Sequence, residues 1–259
     1  MITLTEIGRW YPESLRLRGA QILREYLQYE ILRAIFQSKF GNKYTFLGGT
    51  CLRIVHQTER FSEDLDFDNV GLTQEEFEHT AGEVKRHLEL LGYEVALKFA
   101  YKGAFHCNIR FPALLYKYGL SGHKEAKLLI KLDTEKQHFD YERLTYTLNR
   151  FGVQSAIRAT PLPILASQKV AAILGRKRPK GRDFYDLVFA LRRVKPNYRY
   201  LYERLEIPSP EHLRDAVGQH IANFDFELLT KDVAPFLLNE ADQHMVRNFP
   251  AYWETAVLR

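Results

Sequence analysis

Cysteine is nearly absent: 259 residues include two, Cys51 and Cys107, too few for a disulfide framework or for a zinc site of four thiolates. Both are expected to be free and reduced. No apolar run approaches the 18 or more residues that a membrane-spanning helix needs, and the opening MITLTEIGRWYPESLRLRG lacks the basic-then-apolar order of a secretion signal. The expectation is a cytoplasmic protein that makes no membrane contact. There is no internal repeat, no Pro/Gly-rich linker and no G-x-x-x-x-G-K-[ST] phosphate loop. His56, His106, His123 and His138 show no metal-ligand spacing and read as surface or network residues. What remains is a globular composition, 46% hydrophobic and 27% charged, which excludes a disordered or low-complexity chain. At about 150 residues per domain, the length fits one large or two closely packed domains.

Charge is unevenly spread. The whole chain carries +5. Residues 150–200 hold twelve basic residues and two acidic ones, Asp183 and Asp186, a net +10, so the rest of the chain carries −5. A field of one sign in so short a stretch raises the local concentration of anionic ligands and suits a phosphate-rich partner, although a charge run alone is more often a solvated helix face.

Hydrophobic spacing predicts one helix over 13–38, then a short strand and tight turn at YTFLGGT (44–50). Thr73 with Glu76 is a capping box that opens a helix to about Leu91, with Gly92 as its stop. Strands are expected at 93–99, 104–111 and 127–133. After about residue 137 strand signals fade, and 161–177, 182–195, 198–206, 210–222 and 226–245 read as helices. The fold class is therefore α+β, a mixed β-sheet lobe with flanking helices over 1–140 followed by a helical lobe over 141–259.

In ERFSEDLDFDN, Asp64 and Asp66 alternate with Leu65 and Phe67, so in a strand both carboxylates share one face. Like charges so close are relieved by a divalent cation, and magnesium is the natural occupant. Gly48-Gly49 upstream lets a phosphate approach the backbone and leaves amides at a helix start facing outward. Asp133, at the end of LLIKLD, offers a third carboxylate, and together these suit a two-metal phosphoryl-transfer site.

The succession FLGGTCLRIVH, RFSEDLDFDN, IKLD and ILASQKVAAILGRKRPKGRDFYDLVFAL resembles the AbiEii/MenT-type nucleotidyltransferase toxins, a branch of the DNA polymerase β-like nucleotidyltransferase superfamily. The likeness runs from about residue 15 to about 195. Fourteen residues separate Gly49 from Asp64, slightly more than is usual there. The resemblance implies that Gly48, Gly49 and Thr50 hold a nucleoside triphosphate, that Asp64 and Asp66 bind magnesium, and that Asp133 shares a metal and helps deprotonate the attacking hydroxyl. Ser62 and Arg60 would touch phosphate, with a strand-edge serine and a surface pair of Arg60 with Glu59 or Glu63 as the plainer readings. Lys169 and Asp183 match positions used for nucleotide contact and catalysis; Asp186 reads as structural, a partner for Arg182 one turn away. The implied activity is magnesium-dependent transfer of a nucleoside monophosphate from an NTP to an acceptor hydroxyl, with the 3′ end of tRNA as acceptor and a separately encoded antitoxin as partner. Two alternatives stay open: nucleotidylation of a protein side chain, and a silent nucleotide- or RNA-binding module.

Overall fold

In the computed structural model, which describes residues 1–101 and 103–258, the alternating segments pair into one sheet. Its strands are β1 (Tyr44–Leu47), β2 (Leu65–Asn69), β3 (Ala96–Tyr101), β4 (Phe105–Phe111), β5 (Leu128–Glu135), β6 (Leu144–Arg150) and β7 (Val153–Ala159). They lie in the order β3-β4-β5-β2-β1-β7-β6. The pairs β1–β7 and β2–β5 are parallel and the others antiparallel, so the sheet is mixed, as expected. Strand β5 shows why it forms: Leu128, Ile130, Leu132 and Thr134 are buried while Lys131 and Glu135 are exposed, the two-residue period of a sheet with one covered face.

Six helices accompany these strands: α1 (Leu4–Gly8), α2 (Glu13–Arg16), α3 (Gly19–Gln37), α4 (Gly48–Ile54), α5 (Gln74–Leu90) and α6 (Leu114–Lys117). The capping box at Thr73 is made in both directions, and the chain turns away after α5 at Gly92, φ +89°. Helix α3 packs on β7 and α5 and is buried on almost every side. The single helix expected over 13–38 is broken after Arg16. Arg18 leaves helical geometry at ψ 48°, and the Leu120 side chain comes so close to Gly19 that a Cβ would overlap it.

The sheet also continues beyond residue 137, where strand signals were expected to end. Strands β6 and β7 form a hairpin whose two-residue loop, Phe151-Gly152, has φ of +58° and +77°, the left-handed pair of a type I′ turn. A phenylalanine is a poor turn signal, because the left-handed region disfavours it. Here the ring is buried against Trp10, Tyr11, Tyr26 and Tyr29, which offsets the backbone cost.

The chain divides into two compact units. The first joins residues 1–51 to 62–159 and contains the whole sheet. The second joins Leu52–Phe61 to the helices from Thr160 onward. The boundary thus falls at Ala159/Thr160 rather than near 140, because β6 and β7 complete the sheet. The fourteen residues between Gly49 and Asp64 hold the excursion into the second unit. There Phe61 N donates to Phe236 O and Leu238 N to Glu59 O, at 2.8 and 2.9 Å.

The helices of this unit are α7 (Leu162–Gly175), α8 (Gly181–Leu191), α9 (Tyr198–Leu205), α10 (Pro210–Ile221), α11 (Phe226–Val233), α12 (His244–Arg247) and α13 (Phe249–Thr255). The helix expected over 226–245 stops at Val233, where the chain tightens into a 3-10 turn around Pro235, which has no N–H to continue the α ladder. Both cysteines are buried and neither forms a disulfide. Among the described residues no helix is long and apolar enough to cross a membrane.

Candidate active site

The register of three strands builds a polar row on the sheet. Asp66 on β2 stands beside Asp133 on the parallel strand β5, and Asp133 stands opposite His106 on the antiparallel strand β4. Residues paired in register point to the same face. Leu65, Leu132 and Cys107, one step along, are buried, whereas Asp66, Asp133 and His106 are part-exposed. The imidazole Nδ1 of His106 lies 2.8 Å from Asp133 Oδ1. A carboxylate only accepts hydrogen bonds, so Nδ1 carries the proton. Histidine spacing alone does not reveal His106, since it lies 27 residues from Asp133 and only the register joins the pair; the alternation of β4 and β5 is the available signal.

Gly48 and Thr50 serve this row in different ways. Gly48 has φ +78°, a region that penalises any side chain, and a Cβ there would run into Asp66 Oδ2. Only glycine allows both the turn and the carboxylate's position. Thr50 was expected to meet triphosphate, but its side chain is fully buried and its hydroxyl donates to the carbonyl oxygen of Asp64. Thr50 is thus enclosed and makes no contact with a triphosphate.

Asp64 lies one residue before the first paired position of β2 and is half-buried. The segment leading to it is fixed by α3: Gln28, itself buried, donates to the carbonyls of Ser62 and Glu63 at 3.0 Å each, and Arg24 pairs with Glu63 at 2.8 Å. Ser62 is part-exposed beside this staple.

The second unit gathers the other predicted residues into a buried ion cluster. Arg60 is 1% exposed; its Nε and Nη2 donate to Asp186 Oδ1 and Oδ2 at 2.6 Å each, and Nη1 donates to Phe61 O. Lys169 Nζ lies 2.8 Å from Asp186 Oδ2 and 3.0 Å from Asp183 Oδ1, and Arg176 Nε lies 3.2 Å from Asp183 Oδ2. Two expectations are corrected. Arg60 is no phosphate contact, because its guanidinium is enclosed and committed to Asp186. Asp186 is structural as expected, but its partners are Arg60 and Lys169 rather than Arg182. Burial works against each charge here, and the opposite charges outweigh it: Arg60 and Lys169 hold the Asp186 carboxyl below its usual range, and the two aspartates hold the Lys169 ammonium above its own. Lys169 is therefore a fixed cation and not a base. Helix α8 is seated by Gly181, whose N–H donates to Asp232 Oδ2 at 2.9 Å and whose Cα faces the Leu229 carbonyl too closely for a Cβ.

The donor chemistry suits magnesium. Asp66 and Asp133 offer carboxylate oxygens from adjacent strands, and the missing side chain of Gly48 makes room for the Asp66 carboxylate itself. Among the described residues no three His, Cys, Asp or Glu side chains form a group that could hold a metal ion by themselves, so the three-carboxylate arrangement expected from sequence is not preassembled. Magnesium in phosphoryl-transfer sites is held by one or two carboxylates while phosphates and water complete its shell, and the in-register pair meets that requirement.

Comparisons with known proteins bear on family and fold. The family described as "Nucleotidyl transferase AbiEii toxin, Type IV TA system" matches residues 30–255. No curated protein matches the chain. Among solved structures, JHP933 from Helicobacter pylori is similar at 16% identity and a TM-score of 0.55, covering 91% of this chain and 90% of its own. A second H. pylori chain, provisionally assigned as a nucleotidyltransferase, gives 17% and 0.54 over 90% and 93%. At such identities the likeness is one of fold.

Proposed function

Because the chain belongs to the AbiEii nucleotidyl transferase toxins of type IV toxin–antitoxin systems, we propose that it transfers a nucleoside monophosphate from an NTP to a hydroxyl of RNA, with the 3′ end of tRNA as the favoured acceptor. Pyrophosphate leaves, and a separately encoded antitoxin opposes the reaction in the cytoplasm. The observation that carries this reading is the pair Asp66–Asp133, in register on β2 and β5 beside a glycine that admits no side chain.

Asp64, Asp66 and Asp133 would hold the magnesium, which when bound supplies positive charge against the triphosphate and lowers the pKa of the attacking hydroxyl. The chain's own residues do the rest. Gly48 and Gly49, both part-exposed, present backbone to the phosphates, and Ser62 stands at the entrance to β2. Asp133 receives the proton of the acceptor hydroxyl as that oxygen bonds to the α-phosphorus and the bond to pyrophosphate breaks. The roles of Lys169 and Asp183 in nucleotide contact rest on the family resemblance; since both belong to a buried cluster, substituting either is expected to cost stability along with activity. The exposed residues Lys177 and Arg178, with part-exposed Lys180, suit an RNA backbone, because sequence-independent affinity for RNA comes largely from phosphate neutralisation.

Incubation with total RNA, magnesium and each α-labelled NTP in turn tests the reading. Label in RNA with release of pyrophosphate is expected. Label in protein would make a side chain the acceptor, and neither label nor pyrophosphate would leave a silent binding module.

A further inference from the structure

The proposed chemistry uses the two acids of the sheet row but not its third member. Resting on that reading, we propose that His106 is a positioning residue that sets the carboxylate of Asp133 for metal binding. Three observations carry it. His106 and Asp133 are directly opposite in the β4–β5 register, with Nδ1 and Oδ1 2.8 Å apart. Asp133 is also in register with Asp66, so its carboxylate sits between an imidazole donor and a second acid on one face. Finally, both partners are about one-third exposed, 36% for the His106 side chain and 32% for Asp133, so the pair lies where a ligand can reach it and is not part of the packed core.

The physical consequence follows from the hydrogen-bond inventory. A carboxylate on a short side chain can rotate, and beside another acid it turns away to reduce repulsion. The N–H of His106 commits Oδ1 and fixes the carboxylate plane, leaving Oδ2 as the oxygen available to a cation. Partners of this kind orient metal-binding carboxylates elsewhere, and their loss costs about 10–100-fold in metal affinity or activity. The strand pairing supplies the precision, since neither partner sits on a loop.

The test compares His106→Ala with His106→Asn, whose amide N–H can stand where Nδ1–H stood. Manganese binding by electron paramagnetic resonance, on protein without nucleotide, gives a readout apart from turnover. His106→Ala is expected to raise the manganese dissociation constant and to lower kcat, each by about 10–100-fold, with KM for the NTP at saturating metal within about twofold. His106→Asn should restore most of both losses, and circular dichroism should show both variants folded. If the alanine variant does not fold, His106→Gln, whose amide is too far out to replace Nδ1, takes its place. Manganese binding and kcat within about twofold of wild type in the alanine variant would overturn the proposal. So would an asparagine variant as impaired as the alanine one. A wild-type protein that binds no manganese and transfers no nucleotide would sink the nucleotidyltransferase reading, and this inference with it; a competent wild type with a competent His106→Ala would sink the inference alone.

Discussion

Two pairs of aspartates in this chain, Asp66–Asp133 and Asp183–Asp186, have opposite surroundings. On the sheet, Asp66 and Asp133 are part-exposed, with an imidazole as the neighbour of Asp133. In the helical unit, Asp183 and Asp186 are 2% and 0% exposed and meet the cations of Arg60, Lys169 and Arg176. Residue type alone does not separate these sites. Access and counter-charge do: a carboxylate already enclosed with a guanidinium and an ammonium has little left for a ligand, while a part-exposed pair beside a side-chain-free turn gains from a cation.

The largest expected effect lies on the buried side. Asp186→Ala leaves the enclosed guanidinium of Arg60 without its carboxylate and Lys169 with Asp183 alone, and breaking a buried pair in this way costs about 3–5 kcal/mol. Urea unfolding should show that loss, whereas Asp133→Asn, on the sheet, should leave the midpoint nearly unchanged. Equal losses would mean that the two acid sites do not differ in kind. Gly48→Ala should have a smaller effect on stability, about 1–2 kcal/mol for a left-handed residue gaining a Cβ, but the new methyl displaces the Asp66 carboxylate. Its signature is a fall in kcat far larger than the stability loss explains.

Acidity sharpens the same contrast. Burial raises the Asp186 carboxyl, but Arg60 and Lys169 more than reverse this, so its folded-state pKa lies below the unfolded value of about 3.9. A depressed carboxyl contributes stability that is complete above the unfolded pKa and is lost as pH falls through the folded one. Thermal midpoints of wild type should therefore fall below about pH 4, and an Asp186→Asn variant, already less stable at neutral pH, should show a shallower acid limb. Parallel limbs would remove Asp186 from the account of acid unfolding. The smallest expected change is in salt dependence. Replacing Lys177, Arg178 and Lys180 with alanine should flatten the log–log salt slope of RNA binding by about 2, at about 0.7 per single-strand phosphate contact, with NTP affinity unchanged. Equal losses for NTP and RNA would place these residues on the triphosphate.

Local rules made much of this visible in the sequence. Alternation in DLDFD and IKLD put Asp66 and Asp133 on strands, and Thr73 with Glu76 marked the start of α5. Long-range pairing was invisible, because no local rule joins Arg60 to Asp186 across 126 positions or His106 to Asp133 across 27. The β6–β7 hairpin was hidden for a different reason: its turn places a phenylalanine in a left-handed conformation that tertiary ring packing sustains. Thr50 misled because a threonine after two glycines reads as a phosphate contact until its hydroxyl is found bonded to the Asp64 carbonyl. The positive window was diluted in the same way, since Lys169 and Arg176 pair with aspartates and Arg182 and Arg193 lie over the rings of Phe236 and Phe189.

The proposed reaction takes place at the sheet row. Magnesium-dependent pyrophosphate release from NTP in the presence of RNA, measured for wild type, Asp66→Asn and Asp133→Asn at a temperature where all three are folded, tests it most directly. Either substitution is expected to lower the rate at least about 1,000-fold, equivalent to about 4 kcal/mol of barrier, without a matching loss of stability. Release at near wild-type rates in either variant would contradict it.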